Sequence, residues 1–155
     1  MLDRLLKFMN APAPEPESAD DLQIAVAVLL VEAARMDATF DQKERATIER
    51  LLAERFSLSP DATRQLVALA EEKAEHSSQL YPFTRLAVER MDETHRIRLI
   101  EMLWEVAYAD GVLDADEDAL LRRVAGLIYV SDQDRGAARQ RVLARLARSS
   151  DRPGP

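Results

Sequence analysis

Two sets of carboxylates, Asp37, Asp41 and Glu44, then Asp110, Asp114 and Glu117, are the residues whose type and spacing could do chemistry. Each set has the form Asp-x-x-x-Asp-x-x-Glu, and the two stand 73 residues apart in a chain of 155. Clustered carboxylate oxygens are what a hard divalent cation such as calcium takes as ligands. The correspondence is wider than the acids. Glu32-x-Ala34 precedes the first set as Glu105-x-Ala107 precedes the second, and Ile48 and Arg50 answer Leu121 and Arg123. Further on, one residue out of register, Leu58-Ser59 answers Val130-Ser131. A helix–acidic loop–helix unit used twice predicts an internally duplicated helical domain with two equivalent loops.

The same acids have a purely structural reading. Asp41-Gln42-Lys43-Glu44 and Asp114-Ala115-Asp116-Glu117 each have the form of a capping box, in which an Asp cap and a Glu three residues on satisfy free amides at a helix start. A cap of this kind contributes roughly 0.5–2 kcal/mol. Capping does not call for Asp37 and Asp110, which fall at helix C-terminal ends where the dipole disfavours an anion. A cation between the carboxylates would relieve that repulsion, so capping alone and capping with a cation site both stand at this point. The spacing is not that of an EF-hand, whose acids alternate over a twelve-residue loop. Glu32 and Glu105 fit the same ion poorly, because five helical residues turn them about 140° from Asp37 and Asp110; a polar contact inside the bundle suits them better. The second loop has Gly111 for its turn and extra acids at Asp116 and Asp118, whereas the first has Ala38 at the glycine position.

Around the acids the pattern is helical. Apolar residues recur at helical spacing, with no run of alternation long enough for a strand. Helices are expected near residues 20–36, 41–55, 60–77, 83–91, 94–109, 114–128 and 132–148. Ser59-Pro60 and Ser131, followed by acids at 132 and 134, are helix starts. Tyr81-Pro82 breaks the chain. Ile24–Val31 and Ile97–Tyr108 are apolar on nearly every face and occupy equivalent places in the two repeats, so the simplest architecture packs them against each other at the centre. The fold class is therefore all-α, a compact bundle of about seven helices. Residues 18–150 form the domain. Residues 1–17 comprise a ten-residue amphipathic helix candidate and the proline-alternating linker Ala11–Glu17, and residues 151–155 read as a frayed tail.

Composition narrows the function. With 47% hydrophobic and 32% charged residues the chain has a globular balance. No cysteine is present, which excludes disulfides, thiol nucleophiles and thiolate metal sites. There is no phosphate-binding glycine loop. A net charge of −7 argues against nucleic acid as a partner. No apolar run approaches the roughly 20 residues of a membrane span, and a cytoplasmic location is the expectation. His76 and His95 are two surface histidines, too few for a zinc site of the usual kind. Serines and threonines sit mostly at caps, so an enzyme reading would rest on the acids alone, as a metal-dependent hydrolase. The last helix is basic. Arg141, Arg145 and Arg148 share a stripe that lies either in solvent, across the acidic body, or against an acidic partner or anionic membrane surface.

The segment Ala109-Asp110-Gly111-x-x-Asp114-x-x-Glu117, after the helix Leu103-Trp104-Glu105-Val106-Ala107-Tyr108, resembles the TerB family of tellurite-resistance-associated proteins, as does Ala34-x-x-Asp37-x-x-Phe40-Asp41-x-x-Glu44. The likeness covers roughly residues 20–147. It implies an all-α, internally duplicated fold and clustered acids that bind a divalent cation, calcium in particular. It also implies a place in stress-response or membrane-linked complexes. Carried over, the cation ligands are Asp37, Asp41, Glu44, Asp110, Asp114 and Glu117. The expected function is a non-enzymatic binding or scaffold module with unidentified protein partners, in which an ion orders the two loops. The alternatives are the hydrolase and an ion-free adaptor whose acids are only caps.

Overall fold

The computed structural model describes residues 14–36, 40–109 and 115–151. Over these the chain forms seven α-helices and no strand: α1 (Pro14–Arg35), α2 (Gln42–Phe56), α3 (Pro60–His76), α4 (Tyr81–Arg90), α5 (Glu93–Ala107), α6 (Ala115–Leu127) and α7 (Asp132–Asp151). The fold is an all-α bundle. None of its described helices is long and apolar enough to cross a membrane.

Helix boundaries follow the capping residues. Ser59 Oγ accepts from the Ala62 amide at 3.1 Å ahead of α3, with Pro60 in the first turn. Ser131 Oγ accepts from the Asp134 amide at 3.0 Å ahead of α7, and Asp92 Oδ1 from the His95 amide at 2.9 Å ahead of α5. Each contact satisfies a donor that the helix itself leaves open. The main departure is α1, which begins at Pro14 and not near residue 20. Prolines 14 and 16 fall in its first turn, where a proline's fixed φ suits the helix and its missing N–H removes nothing. Part of the expected linker is thus helical. The helix candidate over residues 1–10 lies outside the described residues.

Two helices form the centre. Residues 25–31 of α1 are all at most 1% exposed, an unbroken run buried on every side. In α5 every residue from Leu99 to Ala107 is buried. The two pack on each other, as their all-round apolar sequences require. α1 also meets α2, α3 and α4, whereas α5 carries α2, α6 and α7.

Both halves close their second helix with the same turn. Ser57 and Tyr129 adopt left-handed φ of 54° and 60°. The next amide in each case, Leu58 or Val130, bonds back to Ala53 or Ala125 at 3.1 and 2.9 Å. This bond between C″ and C3 defines a Schellman motif, normally built on glycine. Here serine and tyrosine adopt the left-handed conformation at some steric cost.

Candidate functional site

The acids of the first loop open α2. Asp41 has extended backbone, φ −89° and ψ 176°. Its Oδ1 accepts from the Glu44 amide at 2.9 Å, and Glu44 Oε1 accepts from the Asp41 amide at 3.0 Å. The capping box expected from the sequence is therefore formed. Its two carboxylates differ in surroundings: Asp41 is exposed, and Glu44 is 1% exposed. Beside them the Arg45 guanidinium lies 4.6 Å from the centre of the Phe40 ring and pairs with Glu71 at 2.7 Å. α2 and α3 are tied together next to the loop.

At the start of α6 the corresponding glutamate, Glu117, is also 1% exposed. Two buried carboxylates thus stand in the first turns of α2 and α6. Asp118 points outward and pairs with Arg122 at 3.0 Å. Asp116 lines a cleft of about 220 Å³ with Met36, Ala119, Leu120 and Arg123. Met36 immediately precedes the first acidic loop and Asp116 closely follows the second, so residues flanking both loops meet across one cleft. Asp37, Asp110 and Asp114, together with Ala38 and Gly111, lie outside the described residues. Among the described residues no three histidine or carboxylate side chains gather as a metal-holding group.

Glu32 and Glu105 serve the bundle, as their angular offset suggests. Glu105 is 8% exposed; its Oε2 accepts from Arg50 at 2.9 Å and its Oε1 from Arg145 at 3.1 Å. Burial pushes the Glu32 carboxyl above its ordinary value, with Arg35 and Arg123 opposing. Arg35 is 3.5 Å away. The pairing is crossed between the halves: Arg50 of the first binds Glu105 of the second, and Arg123 of the second acts on Glu32 of the first.

Sequence reasoning passed over Glu101. Its Oε2 accepts from Arg141 at 2.7 Å, and its Oε1 from Arg98 at 3.1 Å and Arg145 at 3.2 Å. Burial would raise its pKa, but the hydrogen bond and charge of Arg141, joined by Arg145, hold it below the ordinary carboxylate value. A signal was present: Glu101 and Glu105 stand at i, i+4 on an otherwise apolar helix, and Arg141 and Arg145 repeat that spacing on α7. Of the three possibilities for the arginine stripe, Arg141 and Arg145 take the one across the acidic body. Arg148 is exposed. Nearer the second loop, Arg139 donates from Nε to the Tyr108 hydroxyl at 2.8 Å, and its guanidinium stands 5.5 Å from the Trp104 ring. Both histidines are exposed, and His95 Nδ1 lies 2.7 Å from Asp92 Oδ1.

An all-α bundle with a buried glutamate in the first turn of α2 and of α6 defines the class, a helical-bundle domain. A family model described as tellurite resistance protein TerB matches residues 23–140, most of the chain. The protein belongs to the TerB family. No curated protein and no solved structure matches it.

Proposed function

We propose that this TerB-family domain is a binding or scaffold module whose two acidic loops take a divalent cation and, once ordered, form a partner-facing surface within the tellurite and stress response. The observation that carries this reading is the burial of Glu44 and Glu117 at equivalent positions beside the loops. These buried glutamates bring a carboxylate to the same place next to each loop, and clustered carboxylate oxygens are what a hard cation takes as ligands. Asp37 and Asp41 would join Glu44 at the first site, and Asp110 and Asp114 would join Glu117 at the second. A donor set made of carboxylates without sulfur or imidazole suits calcium, with magnesium or manganese as alternatives. The cap uses one oxygen of Asp41 and one of Glu44, and a carboxylate accepts through both.

The crossed relation of Arg50 with Glu105 and Arg123 with Glu32, and the Schellman turns at Ser57 and Tyr129, support reading the halves as two copies of one unit. The loops would then be equivalent in role. Bound cation would neutralise the acids and hold the loops in one arrangement, while the chain's own α1, α5 and crossed arginines keep the helices that carry the acids at fixed separation.

The test is thermal unfolding of chelator-treated protein with and without calcium, beside an Asp110→Ala/Asp114→Ala variant. A ligand at about 100 times its Kd stabilises the native state by about 2.7 kcal/mol. The expected result is a calcium-dependent rise in Tm that the variant lacks. An identical Tm with and without millimolar calcium, magnesium or manganese would reduce the acids to helix caps. Metal-dependent phosphoester turnover lost in Asp110→Ala would instead make the loops a catalytic centre.

A further inference from the structure

Away from the acidic loops, this acidic protein concentrates positive charge at one place. Arg50, Arg98, Arg141 and Arg145 share two carboxylates, Glu101 and Glu105. With Glu54 also 3.6 Å from Arg50, four guanidiniums there face three carboxylates, in a chain of net charge −7. Beside it opens a cleft of about 300 Å³ between α2 and α5, lined by Leu51, Glu54, Arg55, His95 and Arg98.

Arg55 is the unusual member. It makes no ion pair with a described carboxylate. Its guanidinium stands 5.3 Å from the Phe56 ring, and its Nε is shut off from solvent without a hydrogen-bond acceptor. Most other arginines on the described surface have found a carboxylate; an acceptor from outside would meet Arg55 through its outer guanidinium nitrogens, since Nε is closed off. Arg98 reaches the cleft from α5 with its charge only shared. His95 uses Nδ1 on Asp92, which leaves Nε2 as its second hydrogen-bonding atom. Leu51, 1% exposed, gives the cleft an apolar wall that strengthens charge interactions nearby. Glu54 is the one acid of the lining, and it is drawn aside toward Arg50 at 3.6 Å.

We propose that this cleft binds a phosphoryl oxyanion, as inorganic phosphate or as a phosphomonoester, with Arg55 and Arg98 as guanidinium donors and His95, in its imidazolium form, as the third. Two planar guanidiniums from different helices and an imidazole offer more donors than a carboxylate accepts, and they suit a tetrahedral group with three terminal oxygens. This site is separate from the acidic loops and stands or falls independently of them.

The experiment is amide-resolved NMR titration of the full chain in phosphate-free buffer at constant ionic strength. The additions are sodium phosphate, phenyl phosphate, sodium acetate and sodium chloride. Phosphate should give saturating shifts centred on Arg55, His95 and Arg98. Arg55→Gln should weaken binding about tenfold, the loss expected for one charge-assisted hydrogen bond. Glu54→Gln should tighten binding by removing the competing acid, and Arg148→Gln should leave it unchanged. His95→Gln, with a several-fold loss, decides the matter if Arg55→Gln fails to fold. Phenyl phosphate binding more tightly than phosphate would assign an ester, and the reverse the free ion. Either supports the site. Shifts that do not saturate, that chloride reproduces, or that acetate matches at equal affinity would overturn it, as would a folded Arg55→Gln that binds like wild type.

Discussion

Replacing Glu101 with glutamine tests the arginine clamp between α5 and α7. The carboxylate is 11% exposed at its side chain and receives Arg141 at 2.7 Å, Arg98 at 3.1 Å and Arg145 at 3.2 Å. Glutamine keeps the shape and one acceptor oxygen, loses the charge, and turns an amide donor toward a guanidinium. Charge-assisted hydrogen bonds contribute roughly 1.5–3 kcal/mol each when fully desolvated. The arginines are 48%, 38% and 37% exposed, so water screens the pairs and takes up the freed donors. The net loss expected is about 1–2 kcal/mol, or a Tm lower by roughly 2–8 °C at this chain length. The pH dependence carries the sign. Because the folded-state pKa is depressed, the carboxylate contributes its stability above the unfolded value, about 4.3 for glutamate, and loses it as pH falls through the folded value. Urea unfolding followed by the fluorescence of Trp104, the single tryptophan, should separate wild type from Glu101→Gln at pH 7. The gap should narrow as pH falls below the unfolded value. Equal stability at neutral pH, or a gap unchanged in acid, would refute the reasoning.

Other expectations follow from particular contacts. Glu32 has the opposite sign: burial raises its pKa, so Glu32→Gln should stabilise the fold at pH 7 by up to about 1 kcal/mol, with the gain vanishing below the ordinary glutamate pKa; urea midpoints at pH 7 and pH 4 measure it. Leu103→Ala, at a fully buried position on α5, should cost about 2–5 kcal/mol in the same denaturation assay. Gly136→Ala places a methyl in open space on α7 and should raise stability by about 0.5–1 kcal/mol, seen as a higher Tm. Asp41→Ala removes the α2 cap and should cost about 1 kcal/mol without any ion; on the cation reading the calorimetric loss is larger in calcium.

The helix count and the two central helices were legible because burial on nearly all sides leaves a strongly apolar stretch, as in Ile24–Val31 and Ile97–Tyr108. Caps at Ser59, Ser131 and Asp41 were legible because they depend on neighbours in sequence. The start of α1 was not, since prolines at 14 and 16 signal a linker by composition and a first helical turn by position. The partners of Glu101 and Glu105 were hidden for another reason. Arg50, Arg141 and Arg145 reach them from 40 to 55 positions away, and spacing alone does not say which face of α7 meets α5. The Arg55 cleft likewise arises only when the end of α2 is laid against the start of α5.

The most direct measurement is calorimetric titration of chelator-treated protein with calcium, compared with Glu44→Gln and Glu117→Gln. The account predicts saturable binding, with each substitution removing or weakening one loop's share while the protein stays folded. A well-folded wild type that takes up no calcium, magnesium or manganese at millimolar concentration would contradict it.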